Sequence, residues 1–159
     1  MAGKADFTDE EWTRLKRGPF IAGMAISLAD PGGPIEAVKE TAATLKTVTA
    51  AEDGSRGPFV AALAGEAVAE ARDRKNPLHD FKPKGALAGQ EIIDELSSVN
   101  AVVSAKASPE EADAYRAWLK EAAQEAANAA KEGGFFGFHA ERVSEGEQRM
   151  LDRLGEALG

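Results

Sequence analysis

Three short patterns mark where helices begin in this chain. Thr8-Asp9-Glu10-Glu11, Ser108-Pro109-Glu110-Glu111 and Ser144-Glu145-Gly146-Glu147 each set a hydroxyl three residues ahead of a glutamate. In such a box the two side chains bond reciprocally to backbone N–H groups that the first helical turn leaves unpaired. Phe7 and Trp12 flank the first box at the spacing of a hydrophobic staple. Each box opens a run of apolar residues spaced three and four apart, and no segment sustains the period of two that a strand requires. Ala, Glu, Lys, Leu and Gln dominate the remainder, and all favour helix. The reading is an all-α, single-domain bundle (residues 1–159) of about seven helices with a buried central helix. A chain of 159 residues is long enough to bury a core without a staple.

Turn residues divide the runs. Arg17-Gly18-Pro19-Phe20 recurs as Arg56-Gly57-Pro58-Phe59. Glycine ends helices in the left-handed conformation and proline suits a first helical turn. Both copies are therefore read as the same break, a stop followed by a start. The similarity extends only from RGPFIAGMA to RGPFVAALA, too short for a structural repeat. Expected helices run from Thr8 to near Arg17, Pro19 to about Ala29, Ile35 to Ala51, Pro58 to Ala71, Leu87 to Lys106, Ser108 to Lys131 and Ser144 to the end. The Pro19–Ala29 segment carries no charge, and a helix apolar all round belongs in the middle of a bundle. In the third segment Ile35, Val38, Ala42, Leu45 and Thr49 share the expected core face, with Glu36, Lys39, Glu40 and Lys46 elsewhere. Later core stripes are Ile92, Leu96, Val99 and Val103, then Tyr115, Leu119, Ala122, Ala126 and Ala129 with Trp118 alongside, then Met150, Leu151, Leu154 and Leu158.

Composition narrows the function classes. There is no cysteine, which excludes a disulfide framework, a thiolate metal site and a cysteine nucleophile. The net charge of −8 repels phosphate backbones, so nucleic acid is not an expected partner. No run approaches about 18 apolar residues, and MAGKADFTDEEW has no apolar leader core. A cytoplasmic protein without a membrane partner is expected.

The candidate sites follow from local contrast. Residues 72–84 carry Arg72, Arg74, Lys75, Lys82 and Lys84 against Asp73 and Asp80, a local +3 on a remainder of −11. With His79 they form a candidate anion or acidic-partner site; the alternative is a solvated loop pinned by Leu78 and Phe81. Gly133-Gly134-Phe135-Phe136-Gly137-Phe138-His139 resembles no nucleotide fingerprint. Phe135, Phe136 and Phe138 read as core plugs or, with Trp118, as the wall of a pocket. Arg17 and Arg56 read as helix-ending cations or as anion ligands beside the helix starts that follow. His79 and His139 stand at no metal-ligand spacing, no GxSxG elbow is present, and no catalytic residue, metal or cofactor is indicated. Action by binding, through self-association or a protein partner, is the reading these patterns favour. A small-molecule binder or an enzyme using a pocket near the Phe135–Phe138 loop is the second.

The order FTDEEW…GPFIAG, DPGGPIEAVKE, WLK…AKEGGFFGFHAERVSEGE resembles that of small all-helical bacterial proteins of uncharacterised function. That resemblance implies a stand-alone helical domain and carries no functional residue.

Overall fold

A computed structural model describes residues 1–29, 34–132 and 143–159; of residues 34–36 and 131–132 it describes only the helical backbone. Six α-helices and no strand occur among the described residues: α1 Asp9–Ala29, α2 Pro34–Ala50, α3 Pro58–Arg72, α4 Ala88–Lys106, α5 Pro109–Glu132 and α6 Glu145–Leu158. The all-α class is as the patterning predicts. α1 packs against every other helix and is buried almost continuously from Leu15 to Ile26, so it is the central element.

Two capping boxes form with both reciprocal bonds, and the third shows its serine cap. Thr8 N donates to Glu11 Oε2 at 2.8 Å and Glu11 N to Thr8 Oγ1 at 3.1 Å. Ser108 and Glu111 exchange the same pair of bonds at 2.9 and 3.2 Å. Glu147 N donates to Ser144 Oγ at 3.1 Å. The Phe7 and Trp12 rings close the first staple, 5.7 Å apart.

The expected helix break at Gly18 is absent, which is why six helices stand where about seven were expected. α1 runs straight through Pro19. A proline inside a helix deprives the carbonyl four residues back of its donor, here Leu15. The hydroxyl of Tyr115 on α5 replaces it, donating to Leu15 O at 2.8 Å. Gly18 makes the approach possible, since a Cβ there would lie 2.3 Å from that hydroxyl oxygen. Burial, and next the negative Glu95, push the Tyr115 hydroxyl well above its ordinary pKa, so it stays protonated and remains a donor. The second copy does break the chain. Gly54 and Gly57 take φ of 80° and 88°, and Pro58 opens α3 in its first turn. One tetrapeptide thus serves two purposes.

α2 is turned about its axis relative to the expectation. Its predicted core stripe faces outward: Val38, Ala42, Leu45 and Thr49 are exposed, Val38 to 68 % and Leu45 to 38 %. The buried face is Glu40, Thr44, Thr47 and Val48. Gly23 on α1 explains the choice, because Thr44 Oγ1 lies 2.2 Å from where a Cβ would stand and only glycine admits it. Burying these threonines costs little, since Thr44 and Thr47 donate to the carbonyls of Glu40 and Ala43, each at 3.0 Å, and present their methyls. Glu40 accepts a hydrogen bond from Ser27 of α1. α4, α5 and α6 bury the stripes read for them, Ala129 and Leu151 at the margin.

Candidate functional site

The basic stretch between α3 and α4 is an ordered connection with a cationic outer surface. α3 ends in a Schellman arrangement: Lys75 N reaches Glu70 O at 2.9 Å and Arg74 N reaches Ala71 O at 3.0 Å. The left-handed position of that motif is Arg74, φ 58°, where glycine fits without strain. His79 is left-handed as well, φ 55°, closing a turn in which Asn76 Oδ1 accepts from Leu78 N at 3.0 Å. Leu78 and Phe81 pack against the core, so the pinning expected of them is present.

The loop's charges divide into two groups. Arg72, Arg74, Lys75, Lys82 and Lys84 are exposed and make no ion pair among the described residues. His79 is half-buried and bonded to Glu70 Oε2 at 3.0 Å. Glu70 also receives Lys16 Nζ at 2.5 Å. His79 thus fastens the loop to α3 and α1, while the five cations face solvent.

A second network lies under the loop's far end. Glu95 accepts from Arg14 Nε and Nη2, each at 3.0 Å, and from Arg17 Nη2 at 2.9 Å. Arg17 also donates to Asp80 at 2.8 Å and lies 5.3 Å over the Phe81 ring. Burial raises the pKa of Glu95, but the bonds from Arg14 and Arg17 outweigh it and hold the carboxyl below its ordinary value. Arg17 is therefore a buried mid-helix cation and not the helix-ending one expected. Arg56 likewise ends no helix; it precedes α3 and pairs with Glu121 of α5. A groove of about 520 Å³ runs beside Arg14, Arg17, Lys82, Asp80, Glu91, Asp94 and Glu95. Four carboxylates against three cations make it a poor anion site.

The aromatic candidates resolve only in part. Trp118 is fully buried in the core, edge-on to Tyr115 with ring centroids 6.1 Å apart. Its indole N–H finds no acceptor among the described residues. Phe135, Phe136, Phe138 and His139 lie outside the described residues. Among those described, no three metal-ligating side chains gather, and no helix is long and apolar enough to cross a membrane.

The feature that sequence reading missed is the outer face of α2. From Ala37 to Ala50 it exposes Val38, Ala42 and Leu45 beside Lys39 and Lys46, and no carboxylate. Neither lysine has an ion-pair partner among the described residues. In a chain with 27 acidic side chains, an exposed helical face free of them stands apart. Pro77 and Leu78 of the basic loop line one cavity with Thr41 and Thr44 of α2, so the loop reaches the Thr41 edge of this face. The sequence shows Lys39, Glu40 and Lys46 along α2; that Glu40 is buried and leaves the exposed face from Ala37 to Ala50 without a carboxylate is decided by the packing.

No protein-family model, no curated protein and no solved structure matches this chain.

Proposed function

We propose that this protein acts by binding another protein, and that the docking surface is the outer face of α2 together with the adjoining basic loop. The observation that carries the reading is the reversal of α2, which turns Val38 and Leu45 outward while Glu40 and Thr44 are buried. An apolar stripe with a polar rim is the usual composition of an interface centre. The helix itself edges that stripe with Lys39 and Lys46, although Glu121 and Glu125 of α5 line a groove with Lys46, so the partner we propose is an apolar helix or strand with carboxylates on the Lys39 side and toward the basic loop. Arg74 supports the same conclusion. A cation held where glycine would be unstrained lowers stability locally, which is expected where a side chain serves a contact.

Self-association is the weaker form of this reading. Two copies meeting through α2 would set Lys39 and Lys46 against the same lysines. The other large exposed apolar residues described, Met1, Leu28 and Leu87, include none on the faces of α3, α5 or α6.

The test is cross-linking with the partner identified, using the wild-type chain, the double variant Val38→Glu/Leu45→Glu and Arg74→Gly. The glutamates should reduce capture of a specific partner by at least tenfold, with the fold retained, because both positions are exposed. Arg74→Gly should raise stability by up to about 1 kcal/mol, the relief of left-handed strain less glycine's extra chain entropy, and weaken binding, the more so at low salt. Equal capture by all three proteins, or a stable dimer by native mass spectrometry that the glutamates dissolve, would remove the reading of a separate acidic partner.

A further inference from the structure

We infer that the cavity between α1, α2 and the basic loop is a binding site for a small, largely apolar molecule that carries one hydroxyl or amine donor, a phenol-like ligand. The site is distinct from the outer face of α2 and stands independently of the protein-binding reading. Its volume is about 140 Å³, and its walls are Phe20, Gly23, Met24, Ser27, Thr41, Thr44, Pro77 and Leu78. An apolar cavity of about 150 Å³ accommodates one benzene, so the occupant has roughly six to eight heavy atoms by the same comparison.

The polarity of the lining specifies the ligand further. Three hydroxyls border the cavity, and each has already committed its proton. Ser27 Oγ donates to Glu40, Thr41 Oγ1 to Ala37 O at 2.8 Å and Thr44 Oγ1 to Glu40 O at 3.0 Å. A hydroxyl has one proton and two lone pairs, so what remains to each of the three is acceptance. The backbone adds no donor on the loop side. Pro77 has no N–H, and Leu78 N is bonded to Asn76 Oδ1 at 3.0 Å. The cavity therefore offers apolar walls and acceptors without donors. A carboxylate or phosphate finds no uncommitted hydrogen there, and a wholly apolar guest forgoes the one further bond that a lone pair of these hydroxyls can accept. A ring or short chain with one O–H or N–H satisfies both requirements. Leu78 couples the site to the basic loop through a half-buried contact with the core cluster.

Phenol and toluene, equal in shape and heavy-atom number, separate the two contributions. Titration of the full chain followed by amide NMR should show saturable phenol binding, with the largest shifts at Met24, Ser27, Thr41 and Leu78. Toluene should bind about tenfold more weakly, the discrimination expected when one hydrogen bond is not made. Thr41→Phe fills the cavity from an exposed helix position and should abolish phenol binding while the far-ultraviolet circular dichroism is unchanged. Ser27→Ala should narrow the gap between the two probes. Toluene binding as tightly as phenol overturns the donor requirement. Shifts that persist in Thr41→Phe, or no saturation by phenol in the millimolar range, overturn the site.

Discussion

Replacing Gly18 by alanine should destabilise the fold by about 2–4 kcal/mol, although alanine is the better helix former by about 1 kcal/mol. The new Cβ would meet Tyr115 Oη at 2.3 Å and Leu119 Cδ2 at 3.3 Å, so the tyrosine has to withdraw. Overpacking costs about 1–3 kcal/mol, and the stranded Leu15 carbonyl about the same again. A cycle of single and double variants dissects the two. Tyr115→Phe removes the donor and should cost about 1–3 kcal/mol by itself. In a Pro19→Ala background it should cost less by about 1 kcal/mol, because residue 19 then supplies its own N–H to Leu15 O. Gly18→Ala should likewise be milder once the hydroxyl is gone. Denaturant unfolding of the six proteins reads all of these differences. Additive effects for Tyr115→Phe and Pro19→Ala would show that the hydroxyl does not stand in for the missing helical bond.

Glu95→Gln should cost about 2–3 kcal/mol at neutral pH, since Arg17 then loses its buried partner and keeps only the exposed carboxylate of Asp80. The Arg17 side chain is only 9 % exposed, and Glu95 itself retains 12 %. That residual exposure places the effect below the fully buried range. The pH dependence has a definite sign. Glu95 has its folded pKa lowered from the ordinary 4.5, so its contribution is complete above that value and is lost as pH falls through the folded pKa. The gap between wild type and Glu95→Gln should therefore be constant from pH 7 to about 5 and shrink on further acidification. A gap that widens in acid would mean that Glu95 is held protonated in the folded protein. Asp80, the other acidic partner of Arg17, is fully exposed; its exchange should move stability far less.

The contrast between the two Arg-Gly-Pro-Phe segments shows what local chemistry conveys. Pro58 opens α3 as the local rule states, with Gly57 before it at a positive φ, while the left-handed stop is made by Gly54 upstream. At Gly18 and Pro19 the same rules are overridden. Trp12, Leu15, Ala22 and Ile26 are all buried, and they keep one helical phase across the dipeptide. A true break would have reset that phase, so the continuity was open to detection. The compensating donor was not, because Tyr115 lies 100 residues away.

The sequence by itself determined the helix starts at the three capping boxes and at Pro58, the all-α class, the core stripes of α4, α5 and α6, and the cationic character of the loop. Caps and turns act within four residues, and a strong stripe leaves a helix one way to face. Tertiary structure alone decided the orientation of α2 and the roles of Arg17, Thr44 and Tyr115. The stripe of Val38, Ala42 and Leu45 is more apolar than that of Thr44, Thr47, Val48 and Ala51, so patterning alone turns the wrong face inward where the two compete for the same neighbour. The decision lies in the absent side chain of Gly23, which lets Thr44 and its helix approach α1 closely and leaves the more apolar stripe to the outside. Close packing is a property of pairs of surfaces, and a single strand of letters carries only one member of each pair.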